Sequence, residues 1–127
     1  MDAKTLMSLR ARAQALEASL VEQKEMFERG QILAPDYQRM RTDFDRQRRE
    51  ILMSLKAAIA GADPRIDEVV QDAIDGTAEP AEAAKQLKKV AEEKGLGTKI
   101  LEAIDKSRGT IITWAIDIAL AIGKRVA

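Results

Sequence analysis

The apolar residues of the first thirty positions recur at alternating spacings of three and four residues. This spacing forms a continuous seam along one side of a helix, and Gln23 is its only polar member. The seam runs through Leu6, Leu9, Ala13, Leu16, Leu20, Gln23 and Phe27. Such a seam, sustained over three heptads, predicts a long helix that contacts another helix along most of its length.

A short turn separates this helix from a second one with the same spacing. Gly30 is suited to end the first helix, and Pro35 is tolerated in the first turn of the next. The second seam comprises Tyr37, Met40, Phe44, Gln47, Ile51, Leu55, Ala58 and Ala62. Because the connection is so short, the two helices are predicted to be antiparallel neighbours.

The remaining residues are predicted to form a set of shorter helices. Asp63 and Pro64 predict the start of a helix that ends at Gly76, and further helices are expected from Pro80 to about Lys94, after Thr98, and from Thr110 to Val126. The predicted fold class is therefore all-α. A long antiparallel helical hairpin, residues 1–62, is followed by a bundle of three to four helices, residues 63–127, packed on the hairpin base. A single continuous domain is the alternative division.

The amino-acid composition favours helices and excludes several kinds of catalytic and metal-binding site. Apolar residues make up 46% of the chain and aromatic residues only 3%, which favours helices over strands. The 21 basic and 21 acidic residues balance, so no net charge draws the chain to nucleic acid or membranes. Cysteine and histidine are both absent, which excludes disulfides, thiolate nucleophiles, imidazole bases and the common zinc sites.

Catalysis would have to rest on carboxylates, lysines, serines or the single tyrosine. The carboxylate groupings are Asp72 with Asp75 and Glu92 with Glu93, all on predicted exposed faces. No glycine-rich phosphate loop, nucleophile elbow or metal-ligand spacing is present in the sequence. We therefore predict no catalytic residue, no cofactor and no metal, and we expect a protein that is not an enzyme.

The turn end of the hairpin is the candidate interaction surface. Each hairpin helix of about 25 residues is roughly 40 Å long, whereas a compact chain of this size has a radius of gyration of about 14 Å. The turn end is thus predicted to expose apolar side chains to a second copy of the chain or another helical protein. Packing inside one bundle is the alternative. The candidate interaction residues are Leu9, Leu16, Leu20, Phe27, Ile32, Leu33, Tyr37, Met40 and Phe44.

Residues 27–41 resemble the short helical-hairpin motif called SHOCT. The resemblance is carried by Gly30, Ile32, Asp36, Tyr37 and Arg41, while Leu33 stands where that motif usually has threonine. It covers about fifteen residues and implies a helix, a tight turn and a second helix. It implies no activity for this chain.

A second functional interpretation concerns residues 80–106, whose sequence resembles a helix-turn-helix motif. Ala91, Gly95, Leu96, Leu101 and Ile104 stand at the spacings of its small, turn and apolar positions. The resemblance implies a nucleic-acid-binding regulator. Few side chains there are suited to reading bases, so nucleic acid is not the partner we favour. The alternative nucleic-acid contacts are Thr98, Lys99 and Lys106.

Two further charged or apolar features have ordinary explanations. The arginines of residues 39–49 alternate with acidic residues, and Arg41 with Asp45 and Arg46 with Glu50 are spaced to form ion pairs along one helix. The apolar segment 109–123 contains only one charge, Asp117, and is short for crossing a bilayer. We predict a central, mostly buried helix there; the alternative is an amphipathic helix that docks into a partner or lies on a membrane. We also expect a cytoplasmic protein.

Overall fold

A computed structural model describes residues 3–61, 63–96 and 111–126, and within these ranges the chain is all-helical. The predicted all-α class is confirmed, and the helix packing agrees with a hairpin followed by a small bundle. The described helices are α1 (Ala3–Glu28), α2 (Ala34–Ala58), α3 (Pro64–Asp75), α4 (Pro80–Glu93) and α5 (Ile111–Val126).

The turn between α1 and α2 forms as its sequence predicts. Gly30 has a φ of 74°, in the left-handed region that glycine adopts without steric cost. Its N–H donates to the carbonyl of Phe27, and the N–H of Gln31 donates to the carbonyl of Met26, which closes the end of α1. Pro35 lies in the first turn of α2, where no helical hydrogen bond needs its nitrogen.

A single hydrophobic core takes residues from all five described helices. Its members lie on both sides of residue 62, so the base of the hairpin and the shorter helices share one interior; the division into 1–62 and 63–127 remains a prediction. The fully buried large side chains are Leu6, Leu52, Leu55, Ile59, Ile66, Leu87, Ile112, Ile116, Ile118, Val69, Val70 and Val90.

Helix α5 lies at the centre of this core. It contacts each of the other four described helices, and its residues from Ile112 to Ala119 are buried except for Asp117. The prediction of a central, mostly buried last helix is therefore confirmed for residues 112–119. None of the helices in the described ranges is both long enough and apolar enough to cross a membrane.

An ion pair between Asp117 and Arg10 accounts for the one charge in residues 111–123, the apolar part of α5. The Nε of Arg10 donates to Oδ1 of Asp117 at 2.9 Å, and Nη2 donates to Oδ2 at 3.4 Å. Both side chains are about one-third exposed, at 32% and 30%. This bidentate contact joins α1 to α5 and gives the carboxylate of Asp117, on an otherwise apolar stretch of helix, a charged hydrogen-bonding partner.

Asp63 connects the start of α3 to the end of α4. Its carboxylate accepts the backbone N–H of Arg65 at 2.8 Å and the guanidinium of Arg65 at 3.1 Å, while Lys94 lies 3.8 Å away. Arg65 also pairs with Glu93 at the end of α4. The hydrogen bonds from Arg65 hold the pKa of Asp63 below its usual value despite burial, which acts in the opposite direction.

Replacing Asp63 tests its contribution to stability. Asp63→Ala removes the helix cap and the ion pairs, and we expect a loss of about 1 kcal/mol or more from the free energy of unfolding at pH 7. Asp63→Asn keeps an acceptor for the cap and should cost less. Urea unfolding followed by circular dichroism measures both.

The pH dependence of that loss has a definite sign. Because the pKa of Asp63 is lowered in the folded state, its charge stabilises the protein above its unfolded pKa, about 3.9. This contribution disappears as the pH falls through the folded pKa. The stability difference between wild type and Asp63→Asn should therefore shrink below about pH 4. A difference independent of pH would contradict the assigned role of the charge.

The Arg10–Asp117 pair is tested by a double-mutant cycle with Arg10→Ala and Asp117→Ala. We expect a coupling of about 1 kcal/mol, above that of an exposed pair and below that of a fully buried one. Lys24→Ala is the matched control, since Lys24 is exposed on the same helix and should change stability by no more than about 0.5 kcal/mol. A coupling near zero would mean that the contact contributes nothing to holding α1 on α5.

Candidate functional site

Burial falls sharply toward the turn of the hairpin. In the hairpin the main core ends at Ala13 on α1 and at Ile51 on α2. We call residues 14–50, which lie beyond these two positions, the distal hairpin. Phe44 is the only residue in it that is buried, although Leu16 packs partly against the main core. The seams of α1 and α2 thus contact each other here without a third described helix enclosing them.

The tip of the distal hairpin is held by two aromatic rings. Phe27 and Tyr37 stack with ring centroids 4.4 Å apart and ring planes 6° from parallel. Phe27 remains 36% exposed and Leu33, in the turn, is 72% exposed. Since the helices are antiparallel, this stack also sets their register: residues whose numbers sum to about 64 lie level with each other.

A groove runs between α1 and α2 along one face of the distal hairpin, with a volume of about 320 Å³. Its floor is apolar and its walls carry short or uncharged polar side chains together with two charged ones. The lining residues are Arg12, Ala15, Leu16, Ser19, Leu20, Gln23, Met40, Asp43, Phe44, Gln47 and Ile51.

The groove faces away from the bundle. Arg10 points to α5, where it pairs with Asp117, whereas Arg12 lines the groove. Two residues along an α-helix correspond to a rotation of about 200°, so these side chains lie on nearly opposite sides of α1. The groove is therefore on the side of the hairpin that α5 does not occupy.

A network of ion pairs on α2 begins at Asp43, in the wall of the groove, and continues to Arg46 and Glu50 beside it. Arg46 contacts Asp43 on one side and Glu50, at 3.1 Å, on the other, and Gln47 donates to Asp43 at 2.6 Å. The hydrogen bond from Arg46, followed by that from Gln47, lowers the pKa of Asp43, and the same contact raises the pKa of Arg46. Both groups thus stay charged at neutral pH.

The charges of the two walls differ. The network that begins at Asp43 on the α2 wall contains two carboxylates and one guanidinium, which leaves one negative charge in excess. On the α1 wall Arg12 is exposed and has no ion-pair partner among the described residues. The predicted ion pair between Arg46 and Glu50 is confirmed. The prediction that Arg41 pairs with Asp45 is wrong, and both side chains are exposed to solvent. An exposed ion pair within one helix contributes so little stabilising free energy that its two side chains need not stay in contact.

The candidate interaction residues occupy four different environments. Leu16, Leu20, Met40 and Phe44 line the groove, and Phe27 and Tyr37 form the stack at the tip. Ile32, Leu33 and Met40 line a hollow beside the turn together with Gln31, Asp36 and Arg39. Leu9 lies in the main core at 4% exposure and is not accessible to a partner.

Sequence patterns did not single out three polar residues of the groove walls, Arg12, Ser19 and Asp43. Arg12, Ser19 and Asp43 flank the seams by one position or by one turn of helix, and this offset is the signal that places them beside the seam. The apolar residues alone defined the seam, whereas the walls depend on which side of it the bundle leaves open.

The alternative nucleic-acid contacts Thr98, Lys99 and Lys106 lie outside the described residues. Of the segment 80–106, α4 is described, and it ends before Gly95, which has a φ of 64°.

Across the described ranges no group of three or more acidic side chains is arranged to hold a metal ion. Comparison with protein-family models, with curated proteins and with solved structures gives no match.

Replacing Phe27 and Tyr37 together by serine tests whether the tip is independent of the core. We expect most of the helical circular-dichroism signal to remain, because neither residue belongs to the main core. Leu55→Ser is the control: Leu55 is fully buried, and a hydroxyl in its place costs several kcal/mol and should unfold the protein or nearly so. A collapse of helicity in the Phe27/Tyr37 variant would show that the whole fold depends on the tip.

Proposed function

We propose that this chain is a non-catalytic interaction or scaffolding protein that uses its distal hairpin to bind a helix of another polypeptide. The observation that carries the proposal is the groove between α1 and α2, which has an apolar floor and faces away from the bundle. The bound polypeptide is either a second copy of the chain or another helical protein.

The shape of the groove supports a helical ligand. Two antiparallel helices leave between them a channel that accepts apolar side chains spaced by three and four residues along a third helix. Leu16, Leu20 and Phe44 supply the apolar contacts. Ser19 and Gln23 on one wall and Gln47 on the other supply hydrogen-bonding groups, which fix the orientation of such a ligand.

The chemistry of the groove supports binding rather than catalysis. A general acid or base works best when its pKa is near the working pH. In the distal hairpin the shifted pKa values are those of Asp43 and Arg46, and both shifts move away from neutrality. The sequence also contains no cysteine or histidine to act as a nucleophile or base.

Site-specific photo-crosslinking in cells tests this proposal. A benzophenone side chain introduced at Ser19, inside the groove, should form a covalent adduct with a polypeptide. The same side chain at Ala18 is the matched control, because Ala18 is exposed and adjacent in sequence but does not line the groove.

The adduct should also depend on the apolar floor. Leu20→Lys places a charge in the groove and should abolish the Ser19 adduct while leaving the circular-dichroism spectrum unchanged. Lack of any adduct from Ser19, or equal adducts from Ser19 and Ala18, would refute the distal hairpin as a binding surface.

A further inference from the structure

We infer that the polypeptide in the groove is a second copy of this chain, stacked groove to groove so that α1 of each copy lies on α2 of the other. This inference rests on the function proposed above. The two copies are then related by a two-fold axis parallel to the helices, and their turns lie at the same end.

Side-chain size favours this arrangement over the other two-fold stacking. Between Arg12 and Gln23, the middle of the α1 wall carries the short side chains of Ala15 and Ser19, whereas the α2 wall carries the longer Asp43 and Gln47. With α1 on α2, short side chains face long ones and the walls interlock. Turning one copy end for end would place α1 on α1 and α2 on α2, and would set short against short and long against long.

Charge favours the same arrangement. Arg12 lacks an ion-pair partner among the described residues, and the network of Asp43, Arg46 and Glu50 has one negative charge in excess. By the register that the Phe27–Tyr37 stack sets, Glu50 is level with residue 14, about 3 Å along the axis from Arg12. With α1 on α2, Arg12 of each copy reaches Glu50 of the other, and flanking charges of this kind set partner choice and orientation in helical bundles.

The available surface has the size that a dimer needs. The groove face is exposed from Ser8 to the turn, which is about 30 Å of α1, and two adjacent helices are about 20 Å wide. Its flat area is therefore roughly 600 Å², at the lower end of what each partner buries in a standard interface. Since α5 lies on the other side of α1, it does not obstruct a second copy that approaches through this face.

Charge reversal with complementary mixing tests both the partner and its orientation. Arg12→Glu and Glu50→Arg each place like charges opposite each other twice in a dimer. We expect each variant alone to weaken dimerisation at low salt by about tenfold or more. An equimolar mixture of the two should recover the dimer. In the mixed dimer the introduced glutamate faces the introduced arginine at one contact, and the native Arg12 faces the native Glu50 at the other.

Light scattering at low and high salt gives the mass in each case, and circular dichroism confirms that the exposed substitutions leave the fold intact. Arg49→Glu is a control of the same charge change. Arg49 is exposed and lies about 120° around α2 from the groove residue Asp43, whereas Glu50 lies within about 20° of it, so the control should leave the dimer unaffected. A wild-type chain that is monomeric at millimolar concentration overturns the inference, and so does a dimer that the mixture fails to restore.

The inference and the proposed function fail separately. A monomeric chain whose Ser19 photo-crosslinks to a different polypeptide overturns the second copy as occupant and leaves the groove as a binding surface. A chain whose Ser19 forms no adduct with any polypeptide refutes both.

Discussion

The burial of α5 is the constraint on which the rest of the fold depends. From Ile112 to Ala119 this helix presents apolar side chains in nearly every direction, so it needs neighbours all round it. The base of the hairpin together with α3 and α4 supplies them, and each of these helices contacts α5. The single charge that interrupts the apolar surface, Asp117, lies where Arg10 can reach it.

This constraint also explains why the hairpin is built in two parts. At the base of the hairpin, Leu6 and Ala13 of α1 lie in the core and Arg10 contacts α5. The side of α1 that carries Arg10 is therefore occupied by the bundle. The shorter helices extend only far enough to cover this base. Beyond Ala13 and Ile51 the hairpin has only its own two seams, and Phe44 is the one side chain that they bury. The uncovered groove is thus a consequence of the difference in length between hairpin and bundle.

Polar contacts have different roles in the two parts. Near the bundle, Asp63 and Asp117 tie one helix to another through guanidinium groups that are at least partly shielded from water. On the distal hairpin the ion pairs of Asp36 with Arg39 and of Asp43 with Arg46 lie within one helix and are exposed. Pairs of the second kind support a helix by only a few tenths of a kcal/mol and leave its faces free for other contacts.

For the described helices the sequence by itself determined most of the ends and the spacing of the seams, because these depend on local spacing, on Gly30 and Pro35, and on the cap at Asp63. It placed the end of α2 too late, since the predicted seam continued to Ala62 whereas the helix ends at Ala58. It also placed Phe27, Tyr37 and Phe44 near one end of the hairpin, since antiparallel register follows from a short turn. Only the tertiary structure decided that Leu9 is core while Leu16 lines a groove, and that Arg12 and Arg10 serve opposite faces of α1. A seam repeats the same residue types along its whole length, and which part stays open depends on where the other helices end.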